Sequence, residues 1–483
     1  MKTMSDVRVR YAPSPTGYLH VGGLRTALYN YLFARQQGGC FVLRIEDTDQ
    51  TRKVEGAVEN LLTVLQWLGL EFDEGPSKGG DFGPYVQSER LSIYRDHVVK
   101  LADGDHAYPC FCSTETLDTM RAAQTAQGRV PMYDGRCRKL DKAETRKRVE
   151  AGEPHVWRMA VPRKKTIVVN DIIRGKVSFA TDTIDDQVLL KTDGFPTYHL
   201  ANVVDDRFMR ISHVIRGEEW LPSTPKHVLL YEFFGWDCPA FAHLPLLLNA
   251  DRSKMSKRSG DVAVEEYRKK GILPQALINF VALLGWHPQD DREVFSVEEL
   301  THEFSLERVN KAGAIFDMAK LEWMNGEHLR LLPDEAAIDY LMLFADSEAV
   351  TRRQLEVIWP LVKPRVRLPR ELFTENAYFF HDPESYDPAG VTKHFSDPAL
   401  INVLRTYRSE LESVVEFEPV ALEAQLRDLC AANQISAGKL IHPIRLSLTG
   451  KTVSPGLFEM MVVLGKETVL RRLDAALSTL APQ

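Results

Sequence analysis

A chain of 483 residues is too long for one hydrophobic core and calls for two to four domains. Its composition, 44% hydrophobic and 26% charged with no low-complexity run, excludes the fibrous and intrinsically disordered classes. No apolar stretch has the length of a membrane span, and a formal net charge of −7 does not advertise a nucleic-acid partner, although contact with phosphate needs only a local basic surface.

The opening residues lack the basic-then-apolar plan of a secretion signal, so a cytoplasmic location is expected. Residues 7–11 read as a short strand broken by the turn Pro13-Ser14-Pro15-Thr16-Gly17. Leu24, Ala27, Leu28, Tyr31 and Leu32 then recur at helical spacing, and Gly38-Gly39 ends the helix. Residues 41–45 form a second strand, and 55–68 an amphipathic helix with Val58, Leu61, Leu62 and Leu65 on one face. Strand, helix, strand, helix at this spacing predicts a parallel sheet with crossover helices.

Residues 110–180 change to short strands, turns and a cysteine group, and read as an insertion in the sheet domain. The α/β pattern resumes over 187–191, 198–204 and 209–215, and a further helix has Ser223 as its cap and Pro225 in its first turn. After about Pro274 nearly everything reads as helix. Six cysteines in so long a chain do not make a disulfide framework. Cys110, Cys112 and Cys137 lie close enough together to suggest a metal, whereas Cys40, Cys238 and Cys430 read as buried small side chains. The basic clusters Arg136, Arg138, Lys139 and Lys363, Arg365, Arg367, Arg370 are, by themselves, more often solvated faces than binding sites.

Two segments carry chemistry. The first ends in His20-Val21-Gly22-Gly23, between the first strand and the first helix. Ligands bind there in doubly wound sheets, glycines permit close approach, and a helix start directs N–H groups at phosphate. A bare histidine-and-glycine turn is more often simple packing. The second is Lys254-Met255-Ser256-Lys257-Arg258 followed by Ser259-Gly260, whose cations suit a clamp on a polyphosphate. Alone, it would read as a solvated loop.

Together these resemble the HIGH and KMSKS signatures of class I aminoacyl-tRNA synthetases, with Gly23 in place of the last histidine. Neighbouring blocks narrow the resemblance to glutamyl-tRNA synthetases of bacterial type: 10–17 (opening Arg10-Tyr11-Ala12), Arg44-Ile45-Glu46-Asp47-Thr48-Asp49, 196–206 (opening Pro196-Thr197-Tyr198-His199) and 214–220 (ending Glu218-Glu219-Trp220). They run in family order over the whole chain.

The resemblance implies a Rossmann-type parallel-sheet catalytic domain with an inserted α+β domain, followed by all-α C-terminal domains. It implies boundaries at 1–109 and 187–250 for the catalytic halves, 110–186 for an inserted domain that binds the acceptor end, 251–330 for a stem-contact domain and 331–483 for an anticodon-binding domain. It implies ATP-dependent attachment of L-glutamate to tRNA(Glu) through glutamyl-adenylate, in a monomeric protein. A nondiscriminating enzyme that also charges tRNA(Gln) and a non-catalytic tRNA-binding adaptor are the alternatives. His20, Lys254 and Lys257 would stabilise charge on the ATP phosphates with Mg²⁺, and Gly22, Gly23 and Glu219 would join them in binding ATP.

Glutamate would meet Arg10, Ala12, Ser14, Glu46, Tyr198, Asn202 and Arg216. Glu46 suits the ammonium; Arg10 and Arg216 suit carboxylates, which a guanidinium can bind with two parallel hydrogen bonds. Tyr198 and Asn202, four apart, would offer neutral groups from one side of a helix. The plainer readings are a core aromatic for Tyr198 and an ordinary surface ion pair for Arg10 and Glu46. Several relatives have a Cys-x-Cys…Cys-x-His zinc site. Lys139 stands here at the histidine position, and Tyr133 matches a Tyr-x-x-x-Cys variant, so Cys110, Cys112, Tyr133 and Cys137 are the expected ligands of a structural Zn²⁺. Arg365 lies where the family places an anticodon contact.

Overall fold

The computed structural model describes residues 6–255, 263–346 and 350–481. The chain divides into two compact units, Met1–Tyr267 with Pro274–Met318 and Arg268–Leu273 with Ala319–Gln483.

The first unit opens with β1 (Arg8–Tyr11), α1 (Val21–Gln36), β2 (Cys40–Leu43), α2 (Ala57–Trp67) and α3 (Leu91–Asp103). β1 and β2 are parallel, Arg8 opposite Cys40 and Tyr11 opposite Leu43. All four β2 residues are buried, the reason an interior parallel strand reads as an unbroken apolar run. α1 stops where Gly38 turns left-handed at φ +62°.

Next come β3 (Ala107–Cys110), α4 (Thr114–Ala126), α5 (Lys142–Glu150), β4 (Val156–Met159), β5 (Thr166–Asp171), β6 (Gly175–Ala180) and β7 (Val188–Leu190). The reading of 110–180 as strands and turns missed α4 and α5. Each buries a single residue, Met120 and Thr145, so neither shows an apolar stripe. Their signals are the caps instead: Ser113 accepts from the Thr116 N–H and Asp141 from the Glu144 N–H. β3, β4 and β7 form an antiparallel sheet.

α6 (Tyr198–Phe208), β8 (His213–Gly217), α7 (Thr224–Phe234) and β9 (Ala240–Leu244) complete the central sheet. β8 and β9 are parallel, β5 joins β9 in parallel at Asp171 and Phe241, and β6 closes the edge as an antiparallel hairpin. The Ser212 hydroxyl accepts from the Arg8 N–H at 2.8 Å and the Ser212 N–H donates to the Arg8 carbonyl at 2.9 Å, which seats β1 beside β8. Ser223 does precede α7, but its side chain makes no cap hydrogen bond. The helix grows out of a 3₁₀ turn over Glu218–Ser223, so its first turn is already wound.

β10 (Leu247–Leu248), α8 (Val264–Lys269), α9 (Pro274–Ala282), α10 (Val297–Glu303), β11 (Ala314–Ile315) and α11 (Met318–Leu331) follow, with β10 and β11 paired in parallel. Among the described residues the second unit is helical, from Asp334–Met342 to Lys466–Leu480. The buried Arg472 ties it together by donating to the carbonyls of Tyr378, Leu448 and His381 and to Asp382, all at 2.7–2.8 Å. Burial lowers this guanidinium to about 10. Cys40 and Cys430 are buried as expected; Cys238 is exposed, because it sits in the loop between α7 and β9. No helix of the described residues is long and apolar enough to cross a membrane.

Candidate active site

A cavity of about 810 Å³ opens where β1 and β8 end. The chain leaves β1 toward β2 and leaves β8 toward β9, on opposite sides, which makes this the switch point of the sheet. The cavity is lined by Arg10, Ala12, Ser14, His20, Gly22, Gly23, Glu46, Tyr198, Asn202, Arg216, Glu219 and Lys254. Sequence positions more than 240 residues apart therefore share one space. Lys257 lies outside the described residues.

His20 is the N-cap of α1, and its Nδ1 accepts from the Gly23 N–H at 3.2 Å. With Nδ1 committed as acceptor, a neutral ring carries its proton on Nε2, the nitrogen that can donate. No acid stands in the first turn of α1 to offset the positive helix end. The glycines have an internal reason as well as room for a ligand: a Cβ on Gly23 would stand 2.8 Å from the Tyr11 hydroxyl, and one on Gly22 3.1 Å from the His20 ring. Ala263 forms an antiparallel bridge with His20, and the Val264 N–H donates to the Leu19 carbonyl at 2.8 Å. Lys254 bridges Leu248 at the other flank.

The acids and bases beneath the cavity are not a surface pair. Arg10 and Glu46 are both buried, and they do not bond each other. Arg10 spends its paired N–H groups on Asp206, at 3.0 and 3.5 Å. Arg44 bridges Glu46 at 2.9 Å and Asp206 at 2.8 Å. The Asn202 amide, turned with its nitrogen to Asp206, accepts from both arginines. Burial raises the Glu46 carboxyl above its ordinary range, against the pull of Arg44 and Arg10. Burial acts the same way on Asp206, but Arg10 and Arg44 outweigh it and hold that carboxyl low.

Arg216 differs. It is buried and has no carboxylate partner among the described residues. Its neighbours are neutral acceptors: the Tyr198 hydroxyl at 2.8 Å, Thr224 Oγ1 at 3.0 Å, His243 Nε2 at 3.1 Å and His227 Nδ1 at 3.3 Å. Burial lowers the His227 and His243 imidazoles below the usual histidine range, which keeps them uncharged. A guanidinium so placed needs an anion, and the cavity is where one can come from.

Three residues escaped the sequence reading. Arg25 lines the cavity, buried, donating to the carbonyls of Leu284 and Pro245. Gly217 lacks the Cβ that would collide with the Glu219 carboxylate. His243 sits in the apolar strand β9 behind Arg216. The available signals were an arginine, Arg25, between the apolar Leu24 and Ala27 near the start of α1 and a lone histidine within Ala240–Leu244.

In the inserted segment the sulfurs of Cys110, Cys112 and Cys137 all lie within 4.8 Å of one another. The Tyr133 hydroxyl is 3.3 Å from Cys110 Sγ and 3.6 Å from Cys112 Sγ, and accepts from the Cys137 N–H at 3.1 Å. Burial raises the Cys110 thiol, but hydrogen bonds from Tyr133 and Arg158 outweigh it and lower the thiol. Three sulfurs converging on one phenol fit a tetrahedral zinc. In the second unit Arg365 is exposed just past the helix Arg352–Val362, and its charge acts on Arg445.

A nucleotide-type parallel sheet with cations gathered at its switch point agrees with the domain family matched by residues 6–323, "tRNA synthetases class I (E and Q), catalytic domain"; residues 334–477 match "Anticodon binding domain". The class of the catalytic unit is thereby set. The glutamate–tRNA ligases of Pelodictyon phaeoclathratiforme and Chloroherpeton thalassium are each 49% identical to it, covering 97% and 98% of this chain and the same shares of their own. A glutamate–tRNA ligase of Elizabethkingia meningosepticum, solved in complex with its amino acid, superposes with a TM-score of 0.91 at 41% identity, covering 99% of this chain and 100% of that one. This chain belongs to the glutamate–tRNA ligase family.

Proposed function

We propose that the cavity between β1 and β8 attaches L-glutamate to tRNA in two steps, first forming glutamyl-adenylate from ATP. The observation that carries this reading is Arg216: a buried cation with only neutral neighbours, in the same cavity as His20 and Lys254.

Glutamate brings two carboxylates and one ammonium. Glu46 receives the ammonium, since Arg44 engages only its Oε1. Arg216 and the Tyr198 hydroxyl receive the side-chain carboxylate, and Arg10 contributes positive field from its pair with Asp206. The α-carboxylate then attacks the α-phosphorus of ATP and pyrophosphate leaves. Negative charge gathers on the phosphate oxygens, and the donors held for it are His20 Nε2–H, the Lys254 ammonium and, as the sequence motif implies, Lys257; each is typically worth about 3 kcal/mol of barrier. Gly22, Gly23 and Glu219 border the nucleotide. Mg²⁺ enters on the ATP phosphates: among the described residues the sole grouping of metal-type ligands is the thiol cluster. The tRNA 3′-terminal hydroxyl finally attacks the anhydride and releases AMP, so no side chain acts as nucleophile.

Pyrophosphate exchange with ATP, tRNA and glutamate tests the reading. Exchange that depends on glutamate, and falls by roughly a hundredfold in Lys254→Ala, is expected; a Lys254→Ala enzyme of full activity would overturn it. Charging purified tRNA(Glu) and tRNA(Gln) side by side measures discrimination directly. Cys110, Cys112, Cys137 and Tyr133 would hold a structural zinc, which supplies folding stability to the inserted segment and no chemistry. About one zinc per purified chain is expected, and less than about a third would end that assignment.

A further inference from the structure

Arg216 has five N–H groups. Nε donates to His243 Nε2, Nη1 to the Tyr198 hydroxyl and to His227 Nδ1, and Nη2 to Thr224 Oγ1. One Nη2–H remains, together with the Tyr198 O–H, for a ligand in the cavity. The two parallel bonds expected from sequence are therefore not what this guanidinium offers; its orientation is fixed from behind before any amino acid arrives.

The fixing rests on which imidazole nitrogen bears the proton. An arginine Nε only donates, so His243 Nε2, 3.1 Å away, has to accept. The proton of His243 is then on Nδ1, which donates to Asp171 Oδ2 at 2.6 Å. Asp171 and His243 are fully buried. Asp171 cannot turn over, because its other oxygen, Oδ1, accepts three backbone N–H groups, those of Ile173 (3.0 Å), Arg174 (2.8 Å) and His243 (3.3 Å). On the far side, His227 Nδ1 accepts from Arg216 by the same logic, so its Nε2–H donates to His199 Nδ1 at 3.1 Å.

We propose that Asp171 and His243 are positioning residues that hold Arg216 for the side-chain carboxylate of glutamate, Asp171 acting by fixing which imidazole nitrogen carries the proton. This rests on the reading of Arg216 given above. Neither residue reaches the substrate: β5 and β9 supply them from behind β8.

Asp171→Asn discriminates sharply. The three backbone donors oblige the new amide to keep its oxygen at the Oδ1 position, so its NH₂ replaces Oδ2 and points at His243 Nδ1. That nitrogen then accepts, the ring proton moves to Nε2, and an N–H faces the Arg216 N–H. The substitution keeps size and shape but reverses the polarity behind the guanidinium.

Steady-state pyrophosphate exchange with tRNA present would be measured for wild type, Arg216→Gln and Asp171→Asn, with KM for glutamate and for ATP read separately. Expected is a rise of about tenfold or more in the glutamate KM for Asp171→Asn, with the ATP KM within about twofold of wild type. An unchanged glutamate KM, or equal losses for both substrates, overturns the proposal. If Arg216→Gln raises the glutamate KM while Asp171→Asn does not, the positioning role fails and the reading of Arg216 stands. If Arg216→Gln leaves it unchanged, that reading itself fails. Should Asp171→Asn not fold, as judged by its thermal melt, His243→Gln and His243→Leu carry the test. The glutamine can accept from Arg216 and donate to Asp171 and should keep the glutamate KM within about threefold, whereas leucine should raise it about tenfold. Equal effects of the two would overturn the proposal.

Discussion

His20 has two employments, and they can be separated. Its Nδ1 caps α1 through the Gly23 N–H, while in the function proposed above its Nε2 carries the proton offered to phosphate. Asparagine is among the best N-cap residues but is too short to place a donor where the imidazole does. His20→Asn should therefore leave the thermal midpoint within a few degrees of wild type and slow pyrophosphate exchange by about a hundredfold; an asparagine variant exchanging at the normal rate would remove His20 from phosphate handling. At this scale the sequence was legible where a motif itself brings a residue to the cavity, as for His20 and Lys254, and opaque where a residue meets a partner on another strand. Nothing near Asp171 in sequence announces His243, 72 positions later. Arg10 was read for its charge alone; its pairing with Asp206, which lies on α6, could not be seen from the strand that carries it.

Among elements, α1 and the turn before it are tightly packed on each other. A methyl at Gly23 would meet the Tyr11 hydroxyl at 2.8 Å and Leu19 Cδ1 at 2.9 Å, so these two buried side chains would have to shift. Gly23→Ala should cost about 1–3 kcal/mol of stability in urea unfolding, the usual range for overpacking; a midpoint equal to wild type would show that the turn yields freely. The parallel strands and their crossover helices were readable because both periodicities are strong there. α4 and α5 were not, since a helix that buries one residue has no stripe to read and betrays itself only by its caps. The β5–β6 hairpin was legible as strands but not as part of the central sheet: alternation marks a strand but not which sheet it joins, and β5 reaches the central sheet through a single paired position.

Over the whole molecule, buried imidazoles tie stability to pH. Burial lowers His199 to about 3, with Lys226 and Arg216 adding repulsion, and lowers His227 and His243 as well. Below pH 6.5 the unfolded chain takes up protons that these rings refuse, so stability present above 6.5 is lost as the pH falls toward 3. Glu46, raised by burial, works in the opposite sense, but it stands against these three and against His97, His213, His328 and His394, which burial also lowers. The urea midpoint should fall steadily between pH 7 and 5, before most carboxylates titrate, and a flat profile there would contradict the neutral assignment of the buried rings as a set. The helical second unit was legible as helix from its pattern, and as an anticodon-binding domain only through the family resemblance, because exposed arginines look alike in sequence. Arg365→Gln should weaken charging of tRNA while sparing ATP and glutamate binding; unchanged charging would remove Arg365 from the RNA contact.

Leaving a buried guanidinium among neutral neighbours also exposes the protein to self-occlusion. Thr224 touches Arg216 Nη2 at 3.0 Å, so a carboxylate introduced at that position would neutralise it from within. A Thr224→Asp enzyme would then carry a built-in rival to its own amino acid. Glutamate should need about tenfold higher concentration to compete, with the demand for ATP unaltered. On the proposed reading of Arg216, selectivity is kept as much by the lack of acids around it among the described residues as by the groups present.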